Sequence, residues 1–150
     1  MQLTQKEKDL LKDLKSQEQL CIDKYTRHAE AAKDPQLKNL FRSLAQVEQG
    51  HLNILEKIES GSQPEDGSAP TLPQSFEGTY AGKNSEDKQS DNYLCSDALA
   101  VEKHVSALYD TCVFEFGDAC FRNALNKIQT QEQNHGKLIW DYMQANGMSA

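Results

Sequence analysis

A four-residue motif with two metal-ligating side chains occurs twice in the chain. Glu48 and His51 form the first Glu-x-x-His, and Glu132 and His135 form the second, 84 residues later. Residues three positions apart lie on the same face of a helix, so each motif presents a carboxylate beside an imidazole. These two groups are ligands that suit iron, manganese and zinc. The repeat therefore predicts a metal site built from both motifs.

Each motif also has a further glutamate at the same distance upstream. Glu18 lies 30 residues before Glu48, and Glu102 lies 30 residues before Glu132. A single Glu-x-x-His on a helix is more often a solvated surface pair, but a repeated set with matched spacing is a more specific signal. The candidate metal ligands are Glu18, Glu48, His51, Glu102, Glu132 and His135.

Apolar residues recur at steps of three and four through four stretches of the chain, which is the pattern of helices with one buried face. Asp34 and Asp118 stand at the predicted starts of the second and fourth helices, where aspartate suits the N-cap. The turns at these caps are so short that each pair of helices must form an antiparallel hairpin. The predicted helices span about residues 3–32, 35–58, 92–116 and 118–145.

The stretch 59–91 separates the two hairpins and differs from them in composition. It is rich in Ser, Gly, Pro, Asp and Asn, and Phe76 and Tyr80 are among its few large apolar residues. Such a length is unusual for a loop in a compact domain, but a crossover along a bundle needs it. We therefore predict an all-α fold with one domain, residues 1–150: a four-helix bundle of two antiparallel hairpins joined by a long crossover loop.

Distances along the helices bring the candidate ligands to one level of this bundle. Glu18 and Glu48 are equally far from the turn between the first two helices, and Glu102 and Glu132 are equally far from Gly117. At the helical rise, each distance is about 22 Å. The candidates also occupy stripe positions that elsewhere carry apolar residues, so we expect a buried layer.

Four buried carboxylates without counter-charge would repel one another and lose their hydration, at a cost of several kcal/mol for each ion. Two divalent metal ions would balance the four negative charges and take the imidazoles as neutral ligands. A metal-free bundle with protonated glutamates is the alternative.

Other polar residues near these stripes are interpreted as structural. Tyr25 and Tyr109 could hydrogen-bond a ligand or serve in redox chemistry, but we favour core packing with a satisfied hydroxyl. Asp13 and Asp97 are possible hydrogen-bond acceptors for the ligand imidazoles, although a solvated position is preferred. His28 is not counted as a ligand, because its counterpart in the second hairpin is a cysteine.

The composition excludes several classes of function. The net charge of −7 argues against nucleic acid as the main partner. No apolar run is long enough to predict a membrane span, and the first residues lack the apolar region of a secretory signal, so we expect a location inside the cell. The four cysteines form no Cys-x-x-Cys pair, and we expect reduced, mostly buried thiols.

One glutamate from each of two helices and Glu-x-x-His from each of the other two resembles the ferritin-like superfamily of di-iron and di-manganese carboxylate proteins, of the bacterioferritin-like and rubrerythrin-like type. The resemblance implies a ferritin-like bundle that holds two iron ions, with manganese or zinc as alternatives. It also implies an oxidase or peroxidase activity toward oxygen or peroxide. The implied roles are terminal ligation by Glu18 and Glu102, bridging by Glu48 and Glu132, and binding of one metal by each of His51 and His135.

A narrower resemblance concerns the spore coat protein F family of endospore-forming bacteria. It rests on three stretches, residues 18–25 (EQLCIDKY), 34–37 (DPQL) and 48–53 (EQGHLN). It implies a sporulation-associated or clostridial-type origin. The alternative to an enzyme is a structural spore-coat or interaction protein, in which the metals, if present, only stabilise the bundle. The implied partners are spore-coat proteins or a second copy of the chain. An enzyme without assigned catalytic residues and a structural protein thus remain alternatives, with a cytoplasmic or spore-coat location.

Overall fold

The computed structural model describes residues 2–65 and 67–149, and the regular secondary structure of these residues is entirely helical. This confirms the predicted all-α class with four packed helices. The third helix begins at Glu86 instead of about residue 92, because Ser85 caps it by accepting a hydrogen bond from the Lys88 N–H. The helices are α1 (Gln5–Ala31), α2 (Pro35–Glu59), α3 (Glu86–Val113) and α4 (Ala119–Ala145).

The other three helices also begin at side chains that accept backbone hydrogen bonds. Thr4 accepts from the Glu7 N–H at 3.1 Å, and the Glu7 carboxylate accepts from the Thr4 N–H in return. Asp34 and Asp118 cap α2 and α4, as predicted. Pro35 occupies the first position of α2, where its missing N–H costs nothing.

The two hairpins are related by an approximate two-fold symmetry. α1 packs along α2 and α3 along α4, and the hairpins meet through α1–α3 and α2–α4 contacts. At one end, the Lys33 N–H in the first turn donates to Asp91 of α3 at 2.8 Å. At the other end, the Gly117 N–H in the second turn donates to Glu7 of α1 at 3.4 Å. These two contacts are related by the same 84-residue offset as the candidate ligands.

The loop between α2 and α3 runs along the length of the bundle. Near its start, the Cys120 thiol at the α3–α4 turn donates to the side-chain oxygen of Gln63 at 2.8 Å. Near its end, the Tyr80 hydroxyl donates to Asp91 at 2.8 Å, beside the α1–α2 turn. Phe76 packs against the core between these points. The predicted crossover and its two aromatic anchors are therefore present.

Two apolar clusters fill the bundle on either side of the candidate ligands. One includes Leu40 and Leu94, towards the α1–α2 turn, and the other includes Leu11 and Leu125, towards the α3–α4 turn. Three of the four cysteines are buried, and all four are free. Burial raises the pKa of the Cys112 thiol to about 11. Within the described residues, no helix combines the length and the hydropathy needed to cross a bilayer.

Candidate metal centre

The six predicted ligands lie together near the middle of the bundle, between the two apolar clusters. α1 and α3 each contribute one glutamate, and α2 and α4 each contribute a glutamate and a histidine three residues apart. None of the six side chains is more than 3 % exposed. The rings of His51 and His135 are stacked, with centroids 6.0 Å apart and planes 11° from parallel.

The ligand atoms form two groups of four, and the atoms of each group lie within 4.8 Å of one another. Glu48 and Glu132 belong to both groups, which is the arrangement that two bridging carboxylates require. The two groups are Glu18, Glu48, His51 and Glu132, and Glu48, Glu102, Glu132 and His135.

Both histidines direct the same ring nitrogen at the carboxylates. Nδ1 of His51 lies 2.9 Å from Oε1 of Glu132 and 3.2 Å from Oε2 of Glu48. Nδ1 of His135 lies 3.0 Å from Oε1 of Glu48 and 3.3 Å from Oε1 of Glu102. Nδ1 is therefore the nitrogen that each histidine offers to a metal.

Two buried tyrosines hold the remaining glutamates from the opposite hairpin. The Tyr109 hydroxyl donates to Oε1 of Glu18 at 2.6 Å, and the Tyr25 hydroxyl donates to Oε1 of Glu102. Burial, reinforced by the surrounding carboxylates, raises the pKa of both tyrosines, so both hydroxyls stay protonated and donate. Both tyrosines therefore pack in the core, as predicted, and their hydroxyls also donate hydrogen bonds to candidate ligands.

Gln131 contacts the centre and was not singled out from the sequence. Its side-chain oxygen lies 2.5 Å from Nε2 of His51, so a proton on Nε2 leaves the Nδ1 lone pair facing the carboxylates. The 84-residue offset pairs Gln131 with Val47, which offers His135 no such acceptor. Its position next to Glu132, with an apolar counterpart, is the signal that could have identified it.

Without metal, protons and hydrogen bonds compensate the charge of the layer. Burial raises the pKa of Glu18 and of Glu132, and the neighbouring glutamates raise them further. Burial alone would raise the pKa of Glu48, but hydrogen bonds with Glu18 and both histidines hold it well below its usual value. Burial would lower the pKa of His135, but hydrogen bonds to Glu102 and Glu48 raise it to about 9.

Three buried carboxylate oxygens in the described part of the chain have no hydrogen-bond partner: Oε2 of Glu18, Oε2 of Glu102 and Oε2 of Glu132. An unsatisfied buried acceptor costs about 1–3 kcal/mol, and more if it is charged. All three atoms belong to candidate ligands, and cations between the two groups would give them partners. The donors and their charge therefore fit two divalent ions of iron, manganese or zinc.

The other polar candidates lie outside this layer. Asp97 accepts hydrogen bonds from Lys24 at 3.0 Å and from His28 at 2.8 Å, so it does not contact a ligand imidazole. Burial would raise the pKa of Asp97, but these two partners lower it. Asp13 is exposed. Neither aspartate therefore supports the ligands directly.

A cleft of about 370 Å³ between α3 and α4 leads from the surface to the layer. Its walls include Glu102 and Glu132, together with Leu99, Ser106 and Gly136. A smaller cavity of about 210 Å³ reaches the layer on another side, where it is lined by His51, Gln131 and part of the crossover. The layer is therefore buried, and the cleft and the cavity each contact residues that belong to it.

Residues 90–150 match the Coat F domain. They include most of α3 and all of α4, with three candidate ligands: Glu102, Glu132 and His135. The match covers fewer than half of the 150 residues and lies in the second hairpin, whereas the predicted resemblance was based on the first. It supports the similarity to the spore coat protein F family and, among the predicted locations, the spore coat. No curated protein and no solved structure matches the chain.

Proposed function

We propose that this protein is a spore-coat component with a ferritin-like four-helix bundle, stabilised at its centre by two divalent metal ions. The Coat F match over residues 90–150 supports the location. The observation that carries the metal assignment is the buried layer in which two ligand groups share Glu48 and Glu132. These two glutamates would bridge the metals, Glu18 and Glu102 would be terminal ligands, and each histidine would bind one metal.

Metal binding at this layer would link the two hairpins. Each ligand group draws on both hairpins, so neither group exists before the hairpins dock. The free energy of metal binding therefore adds to the free energy of folding. At a free metal concentration about 100 times Kd, one site adds about 2.7 kcal/mol.

Thermal unfolding with and without metal tests this role. We expect added Fe²⁺, Mn²⁺ or Zn²⁺ to raise the Tm of chelator-treated wild-type protein. The double variant Glu48→Gln with Glu132→Gln keeps the side-chain shapes but loses both shared carboxylates, and its Tm should not respond. A wild-type Tm that metal leaves unchanged would rule out the stabilising role.

The location is tested separately by fractionating spores of the source organism. We expect the protein in the extracted coat fraction, detected with an antibody raised against the purified chain. A protein found only in the cytoplasm of the mother cell or the spore core would contradict the coat assignment and leave the metal assignment unaffected.

The cleft between α3 and α4 favours a second function, an oxidase or peroxidase, because a small oxidant in it would lie against two candidate ligands, Glu102 and Glu132. Two iron ions would supply the electrons for reducing oxygen or peroxide. Anaerobic protein loaded with ferrous ions and then mixed with peroxide decides between the two functions. Rapid appearance of ferric absorbance, repeated over many turnovers with a reductant, supports the enzyme. Full metal occupancy without reaction supports the structural role.

A further inference from the structure

The two hairpins differ where the cleft reaches the centre. Ser106 of α3 and Gly136 of α4 line the cleft, and the 84-residue offset pairs them with Ile22 of α1 and Leu52 of α2. In the first hairpin, therefore, two bulky apolar side chains occupy the positions that are small in the second. Leu52 is only 7 % exposed, as expected of a side chain packed into the gap between helices.

The position of Gly136 shows how a larger side chain would narrow the cleft. A Cβ atom built on Gly136 would lie 3.5 Å from Cδ1 of Leu99 on the opposite wall, so any longer side chain there would extend into the open space. Towards the α3–α4 turn, the Gln129 amide donates to the Ser106 carbonyl at 3.2 Å and ties the two helices together. The width of the cleft between α3 and α4 thus depends on small residues at 106 and 136.

The second cavity reaches the centre less directly. It is lined by His51 and Gln131, and the contact between these residues is made through Nε2, the ring nitrogen that faces away from the carboxylates. A ligand in this cavity would meet the outer edge of the imidazole. A ligand in the cleft would lie against Glu102 and Glu132, two candidate ligands that each also have a buried Oε2 without a hydrogen-bond partner.

We propose that the cleft between α3 and α4 is the entrance for a small anion or a peroxide-sized molecule. Such a ligand would approach the centre from the side of Glu102, which belongs to the second ligand group only. Lys103 stands on the wall of the cleft and is exposed, so its ammonium group attracts an anion to the opening. This inference rests on the proposed metal centre, and it holds for either function of that centre.

Azide binding to protein loaded with Co²⁺ tests the inference, because the visible bands of Co²⁺ respond to a new ligand without any redox step. The double variant Ser106→Ile with Gly136→Leu gives the cleft the residue types found at the equivalent positions of the first hairpin. We expect its azide affinity to fall at least about tenfold, while its cobalt content, measured on the same samples, stays equal to that of the wild type. The matched control is Gly50→Leu, which adds the same side chain at the second cavity, where a Cβ meets no atom within 4 Å. Its azide affinity should not change.

Unchanged azide affinity in the cobalt-loaded double variant would overturn the inference, and so would a loss confined to Gly50→Leu. If the double variant loses cobalt, Ser106→Ile alone replaces it, with the same expectation and the same contradictory result. A wild-type protein that takes up no Co²⁺ would instead overturn the metal centre itself, so the two failures are distinguishable.

Discussion

The first and second hairpins are alike in the residues that face each other and unlike in the residues that surround this contact. At the ligand layer, Tyr109 of the second hairpin donates to Glu18 of the first, and Tyr25 of the first donates to Glu102 of the second. Glu132 likewise joins the candidate ligand group of the first hairpin, and Glu48 joins that of the second. Because neither half forms the centre alone, a change to a ligand in one half would leave the other half with unpaired buried charge.

Away from this contact, the same offset pairs residues of different chemistry. Gln131 corresponds to Val47, and the partly buried Asp97 corresponds to the exposed Asp13. Gln131 and Asp97 both contact the first hairpin, at His51 and at Lys24 and His28, whereas Val47 has no polar side chain for such a contact and Asp13 is exposed. The comparison teaches that the two-fold symmetry is kept among the carboxylates, imidazoles and tyrosines of the layer and is lost in the polar contacts that surround it.

The largest effect, on metal content, should come from removing a glutamate that belongs to both ligand groups. Glu48 belongs to both ligand groups and Glu18 to only one. We expect Glu48→Ala to lose both metals and Glu18→Ala to keep about one per chain, measured by elemental analysis after desalting. Equal metal content in the two variants would contradict the division into bridging and terminal ligands.

A smaller effect, on metal affinity, should come from removing Gln131, which contacts only one of the two histidines. Gln131→Val copies the first hairpin and removes the acceptor for Nε2 of His51. Because such partners fix the ring and its tautomer, we expect a loss of about 10–100-fold in affinity for one of the two metals. Competition with a coloured chelator measures it. Gln46→Val removes an exposed glutamine from the same cavity and should leave both affinities unchanged. Equal weakening of both metals by Gln131→Val would contradict the asymmetry.

The buried tyrosines test the symmetric part of the comparison. Tyr25→Phe and Tyr109→Phe each remove a hydrogen bond to a buried carboxylate, so each should lower the free energy of unfolding of the metal-free protein by about 1–3 kcal/mol. Urea titration measures both values, and the account expects them to be similar. Tyr93→Phe, at a position that is 71 % exposed, is the control without effect. A loss in only one of the two buried variants would show that the hairpins are not equivalent at the layer.

The smallest effect, on the free energy of unfolding, concerns Asp97 and its counterpart Asp13. Asp97→Asn should cost about 0.5–1 kcal/mol at neutral pH, because the bonds with Lys24 and His28 are partly solvated. Asp13→Asn should cost nothing measurable. The pKa of Asp97 is lowered in the folded state, so its contribution is present above the unfolded value of about 3.9 and is lost as the pH falls through the lower folded value. Urea titrations at several pH values should show the wild-type advantage disappearing in acid, and a constant advantage would contradict this cause.

The sequence predicts the ligand layer well because the layer depends on distances within one hairpin. Equal spacing from a turn, multiplied by the helical rise, places Glu18 level with Glu48 and Glu102 level with Glu132, and the structure has them so. The caps at Asp34 and Asp118 are also local and were predicted. Whether the six residues bind metal stays a prediction.

Contacts between the hairpins could not be predicted in the same way. Which glutamate each tyrosine contacts depends on how the hairpins dock, and spacing within a hairpin does not contain that information. The contact of Gln131 with His51 has the same origin. The start of α3 was missed because its first turns carry few apolar residues, although Ser85 was available as a cap.

The metal content of the native protein tests the central claim most directly. The chain would be purified from its source without chelators and analysed for all first-row transition metals, with protein concentration determined by amino-acid analysis. The buried layer of four carboxylates and two imidazoles predicts about two metal ions per chain. A value near zero, in protein that also fails to take up added Fe²⁺, Mn²⁺ or Zn²⁺, would contradict the account.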